Sequence, residues 1–197
     1  MYYSKPLAAA LAGAALLTAG PVAAAVVGIS GTVFNTNPAP LPDAACSPGQ
    51  VLLSFNPGNS SQNNTSNFGA FANTQSHCIG GFPFASWTGG SFQWDFAAGD
   101  TLFGTTSGNL TPQATPGVFD ASYTLLATGG TGRFLNASGS ILALSVIDTR
   151  FPPTSNTGTF SGQLNLPAVP EPGTWAMLVL GFMACGAALR NRRRTRV

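Results

Sequence analysis

Six residues near the middle of the chain, Ser91-Phe92-Gln93-Trp94-Asp95-Phe96, alternate polar and aromatic without a break. In an extended chain successive side chains point to opposite faces, so Phe92, Trp94 and Phe96 share one face and Ser91, Gln93 and Asp95 the other. The same period of two returns in Phe119, Ala121, Tyr123, Leu125 and Ala127, and again in Phe160, Gly162, Leu164 and Leu166. Between Val26 and Leu166 no 3.6-residue apolar period competes with it, so the segment reads as strands. Further candidate strands are Val26 to Phe34, Gln50 to Phe55, Phe68 to Ala72, Ser76 to Ile79, Thr101 to Thr106 and Ile141 to Asp148. Between them lie Gly, Pro, Asn and Ser turns, drawn from 24 glycines and 15 prolines. This spacing predicts an all-β domain, a small antiparallel β-barrel of about eight strands, with a β-sandwich as the alternative. Asn56 to Asn67, Pro112 to Pro116 and Pro152-Pro153 read as loops, the first of them a mobile surface loop.

The two ends follow other rules. Lys5 precedes an apolar run from Leu7 to Ala19, and Gly20-Pro21-Val22-Ala23-Ala24-Ala25 supplies a helix breaker and small residues. That order predicts a secretory signal peptide over residues 1–25, cut after Ala25 by signal peptidase. At the other end no residue from Gly173 to Leu189 is charged. As a helix this stretch of about 17 residues would be roughly 25 Å long, the short limit of a membrane span. Arg190, Arg192, Arg193, Arg194 and Arg196 follow it. Such a cluster crosses lipid at high cost, so it predicts a cytoplasmic stop signal behind a transmembrane helix at 173–189, with Trp175 at the interface. The domain proper is then 26–167, and 168–197 forms the terminal segment.

With those arginines set aside, the middle of the chain has Asp43, Asp95, Asp100, Asp120 and Asp148 against Arg133 and Arg150. A weakly acidic surface of this kind does not attract phosphate backbones, so nucleic acid is not expected as a partner.

Pro170-Glu171-Pro172, Trp175-Ala176-Met177, the Gly-containing apolar stretch and the Arg-rich end together resemble the PEP-CTERM sorting signal of Gram-negative bacteria. The resemblance implies recognition by a membrane exosortase, cleavage near Pro170-Glu171-Pro172, and passage from an inner-membrane-anchored precursor to the outer surface or the extracellular polymer. Physically, two prolines hold the backbone around Glu171 extended, as a protease requires, so Glu171 reads as a processing determinant and not as a catalytic acid. A second resemblance lies inside the domain. Gly99-Asp100-Thr101-Leu102-Phe103-Gly104-Thr105, Tyr123, Gly129 to Phe134, Ala137 to Ser140 and Gly158 to Gly162 are similar to bacterial relatives of the allene oxide cyclase and dirigent-like barrels. It implies an eight-stranded barrel and carries over no catalytic residue.

Candidate chemistry is sparse. Cys46 and Cys78, the cysteines outside the terminal segment, are expected to form a disulfide in an oxidising exterior. His77 is the sole histidine. Its neighbour Cys78 points to the opposite face of a strand, so the two could not readily converge on one metal ion or form a nucleophilic dyad. No Gly-x-Ser-x-Gly elbow is present, and Gly129 to Arg133 lacks the Gly-Lys-Ser/Thr ending of a phosphate loop. That loop reads as a tight turn, with Arg133 paired to an aspartate such as Asp100. No catalytic residue, metal or cofactor is therefore assigned. Trp87 and Trp94, within the aromatic cluster Phe82, Phe84, Trp87, Phe92 and Trp94, are the candidates for stacking on a sugar or small apolar ligand. Three functions compete: a non-catalytic surface or matrix domain, a domain binding exopolysaccharide or a small ligand, and a cyclase- or isomerase-like enzyme.

Overall fold

The structure, a computed structural model, describes residues 24–37, 43–81, 83–166, 178–187 and 190. Nine strands form one antiparallel sheet: β1 Ala25–Asn37, β2 Gln50–Phe55, β3 Asn64–Ser66, β4 Gly69–Gly80, β5 Ser86–Phe96, β6 Thr101–Pro112, β7 Val118–Gly130, β8 Ser138–Asp148 and β9 Thr154–Leu166. Around the sheet β1 pairs with β9, then β8, β7, β6 and β5 follow in turn. β5 pairs with β4, and β4 returns to β1 through β3, so the sheet closes into a ring. β2 and β3 share the remaining edge of β4: β3 takes Gly69 to Phe71 and β2 takes Gln75 to Gly80. The fold is thus all-β, and closure leaves few unpaired edges.

The alternating pattern read from the sequence is the pattern of burial. Phe92, Trp94 and Phe96 face the interior, as do Ala121, Tyr123, Leu125 and Ala127, and Phe160, Leu164 and Leu166. The expected strands Phe68 to Ala72 and Ser76 to Ile79 are one strand, β4, because Asn73 and Gln75 also point inward.

Asn56 to Asn67 departs most from expectation. It contains β3, and its amide side chains do the work of backbone. The Gln62 amide nitrogen donates to the Asn73 carbonyl at 2.7 Å while its oxygen accepts from the Asn73 N–H at 2.6 Å. Asn67 likewise accepts from the Ser30 N–H and donates to the Gly28 carbonyl. An Asn/Ser-rich run reads as solvated loop from composition alone; here its amides complete the ladder between β1 and β4.

The ring has two unlike ends. At one, Phe68, Phe71, Phe96, Leu102, Phe134 and Leu164 fill the interior, and the 3-10 turn Gly132–Phe134 closes it. Arg133 caps that turn, its Nε 2.8 Å from Asp100 Oδ2 and its guanidinium against the rings of Phe68, Phe96 and Phe134. The expected Arg133–Asp100 pair is therefore present, at the filled end. β1 begins and β9 ends here, Ala25 lying opposite Leu166.

The expected N-terminal signal helix falls on residues outside the described ones. In the C-terminal segment residues 178–187 are helical and exposed. Among the described residues no helix is long and apolar enough to cross a membrane.

Candidate functional site

The other end of the ring is not filled. Strict alternation from Phe92 backwards would turn Trp87 outward, but β5 carries a bulge between Trp87 and Gly90, with Gly89 at φ 68°. A bulge inserts one residue and reverses the parity, so the indole of Trp87 points inward. It stacks on the imidazole of His77, ring centroids 4.6 Å apart and planes inclined by 20°. Two glycines make the space. A Cβ on Gly90 would lie 2.7 Å from the His77 Cβ, and one on Gly108 would lie 2.8 Å from Trp87 Cζ2.

Around this stack is a cavity of about 90 Å³. Leu53, Phe55, Ile79, Leu110, Phe119 and Ile147 supply its apolar wall; Asn37, Gln75, His77, Tyr123 and Asn156 supply its polar groups. Thr149 is exposed and also lines the cavity, so it opens to the surface beside the β8–β9 connection. Among the described residues that line it there is no Asp, Glu, Lys or Arg.

Burial sets the protonation of the site. His77 is lowered to about 4 because its charged form would be desolvated, so the ring is neutral at pH 7. The Gln75 amide nitrogen sits 3.4 Å from His77 Nδ1. An amide nitrogen only donates, so Nδ1 accepts and the ring proton lies on Nε2. Tyr123 is raised by desolvation, and the neighbouring polar side chains of Asn156 and Ser145 oppose the shift. The Trp87 indole N–H points to Thr106 Oγ1 at 3.4 Å. Among the described residues, Asn37 Oδ1 and Asn156 Oδ1 are buried without a hydrogen-bond partner. The arrangement can receive hydrogen bonds and enclose apolar groups. Its ionisable groups are the neutral imidazole of His77 and the buried phenol of Tyr123.

Of the two tryptophans singled out from the sequence, Trp87 lines the cavity and Trp94 does not. Trp94 is buried toward the filled end, 4.4 Å from Phe71 in a stacked pair and 4.8 Å from Phe160. Its strand parity faces it into packed aromatics. Cys46 and Cys78 form a disulfide with Cα atoms 5.5 Å apart. Cys78 is on the face of β4 opposite His77 and Gln75. Among the described residues no group of three His, Cys, Asp or Glu side chains could hold a metal ion. Gln75, Asn37 and Asn156 were not legible as site residues; their only signal was polar type at inward parity.

The terminal segment bears on delivery and not on this cavity. Pro170, Glu171, Pro172, Trp175, Ala176 and Met177, with Arg192, Arg193, Arg194 and Arg196, lie outside the described residues, while Arg190 is exposed. Residues 168–194 match the PEP-CTERM protein-sorting motif. The chain carries a PEP-CTERM signal. A PEP-CTERM chain is a secreted, cell-surface-directed bacterial protein sorted through exosortase, and this reading rests on the terminal segment alone. No curated protein and no solved structure matches the chain.

Proposed function

We propose that the chain is made as a precursor with two removable ends, and that the ring-shaped β domain between them is a non-catalytic surface or matrix protein. Signal peptidase removes residues 1–25. Residues 173–189 then hold the precursor in the inner membrane of a Gram-negative cell, with the arginines on the cytoplasmic side. Exosortase cuts near Pro170-Glu171-Pro172, and the domain passes to the outer surface or the extracellular polymer, where exopolysaccharide is its candidate partner.

The observation that carries this reading is the PEP-CTERM match at 168–194. The limits of the fold support it: β1 starts at Ala25 and β9 ends at Leu166. Both cuts therefore fall at or beyond the last strand pair, and the ring loses at most one terminal pair, Ala25 with Leu166, on maturation. The cavity lining, with apolar walls and the amides of Asn37, Gln75 and Asn156, suits holding a ligand. A cyclase- or isomerase-like reading draws on His77 and Tyr123 sharing that lining, and turnover that disappears in a Tyr123→Phe variant would favour it.

The test is Glu171→Ala in an exosortase-bearing host. The expected result is uncut precursor retained with the cell envelope. Release of the variant at the normal size and rate would refute the assignment of Glu171.

A further inference from the structure

We infer that the cavity at the unfilled end of the ring is a binding site for an uncharged ligand that inserts one small apolar or ring group and presents a hydroxyl or amide to Asn37 and Asn156. The inference rests on the proposed non-catalytic role and deepens it by naming the site and ligand class.

Four observations carry it. The first is the cavity, about 90 Å³ and reaching the surface at the exposed Thr149. A dry cavity of about 150 Å³ holds benzene, so this one of about 90 Å³ takes in part of such a ring, the rest of the ligand staying at the mouth. The second is unmet hydrogen-bonding capacity. Asn37 and Asn156 are 4% and 6% exposed, line the cavity, and each has an amide oxygen with no partner among the described residues. Leaving a buried acceptor unpaired costs about 1–3 kcal/mol. Two such atoms on one cavity wall mark where a ligand donor belongs.

The third is charge. Among the described residues no carboxylate, Lys or Arg lines the space, and the charged residues flanking Thr149, Asp148 and Arg150, are paired to each other at 2.6 Å. A charged ligand would be desolvated with nothing to neutralise it, whereas a hydroxyl or amide would not. The fourth is construction. The bulge at Trp87–Gly90 and the absence of side chains at Gly90 and Gly108 bring Trp87 and His77 into the interior, where an unbulged β5 would have turned the indole to solvent. β1 begins and β9 ends at the opposite, filled end, Ala25 facing Leu166.

The experiment is an NMR titration of the full-length chain in detergent with benzyl alcohol, with benzoate and benzylammonium as charged counterparts of similar size. Trp87, Trp94 and Trp175 are the tryptophans, and their indole N–H signals report separately. Benzyl alcohol is expected to shift the Trp87 signal saturably while the Trp94 signal stays in place, with both charged compounds at least tenfold weaker. Ile147→Trp, which fills the cavity from a partly buried position, is expected to weaken binding at least tenfold with the Trp94 signal unchanged. Asn156→Leu keeps the volume and is expected to erase the preference for the alcohol over toluene. The inference is overturned by shifts that do not saturate, by equal binding of the charged compounds, or by an Ile147→Trp variant that is folded and binds as before. None of these outcomes touches processing at Glu171, so failure here and failure of the sorting assignment are distinguishable.

Discussion

Acid should weaken this domain through one side chain. His77 stacks on Trp87 in the cavity wall, and burial lowers it to about 4 from an ordinary value of 6.5. The folded state binds fewer protons than the unfolded state between those two values, so stability rises with pH across the window. The contribution is complete above about pH 6.5 and is lost as pH falls toward 4. Each pH unit of displacement corresponds to about 1.4 kcal/mol, which gives a loss of about 3 kcal/mol at pH 4. Asp148 adds little over this range: Arg150 holds it at about 2, so most of its effect falls between the ordinary carboxylate value of 3.8 and 2. In His77→Phe a ring remains against Trp87 and the titrating group is gone. Urea unfolding of the processed protein from pH 7 to pH 4 measures both. Wild type is expected to lose about 3 kcal/mol with an unchanged denaturant slope, and His77→Phe to be nearly flat after a fixed cost of about 1 kcal/mol for the Gln75 hydrogen bond. A wild-type protein equally stable at pH 4 and 7, or a variant with the wild-type slope, would refute the claim that this imidazole is buried and neutral.

Three further results are expected. Replacing Cys46 and Cys78 by serine opens a loop spanning a sequence separation of 32 and should cost about 4 kcal/mol by chain entropy, read from denaturant midpoints. Gly108→Ala places a Cβ against Trp87 and Tyr123, and is expected to destabilise the domain by about 1–3 kcal/mol and to move the Trp87 indole signal, with Trp94 unaffected. At the filled end Phe134→Ala should cost about 3–5 kcal/mol, whereas Arg133→Gln, whose side chain is 37% exposed, should cost under about 1 kcal/mol; comparable losses for the two would contradict this account of the cap.

The fold was legible where one physical signal dominated. Period-two alternation in Phe92-Trp94-Phe96 and in Ala121-Tyr123-Leu125 reports which face is buried, and the ring buries those faces. It did not extend to Trp87, because a bulge reverses parity and Thr88-Gly89-Gly90 looks like any flexible turn until the register is known. It failed at Asn56 to Asn67, since side-chain amides that pair with backbone carry no apolar signal. The cavity was hidden for a related reason. Asn37, Gln75, His77 and Asn156 come from three strands, and only ring closure brings them to one end. The sorting segment needed no tertiary context, because its message lies in the order of residues along the chain.

The most direct test of the whole account is the intact mass of the protein collected from outside an exosortase-bearing host. The account requires a species that starts at Val26, ends near Pro170-Glu171-Pro172, retains the Cys46–Cys78 bond and lacks every residue of the Arg190–Arg196 cluster. Recovery of external protein whose mass still includes Val197 would contradict it.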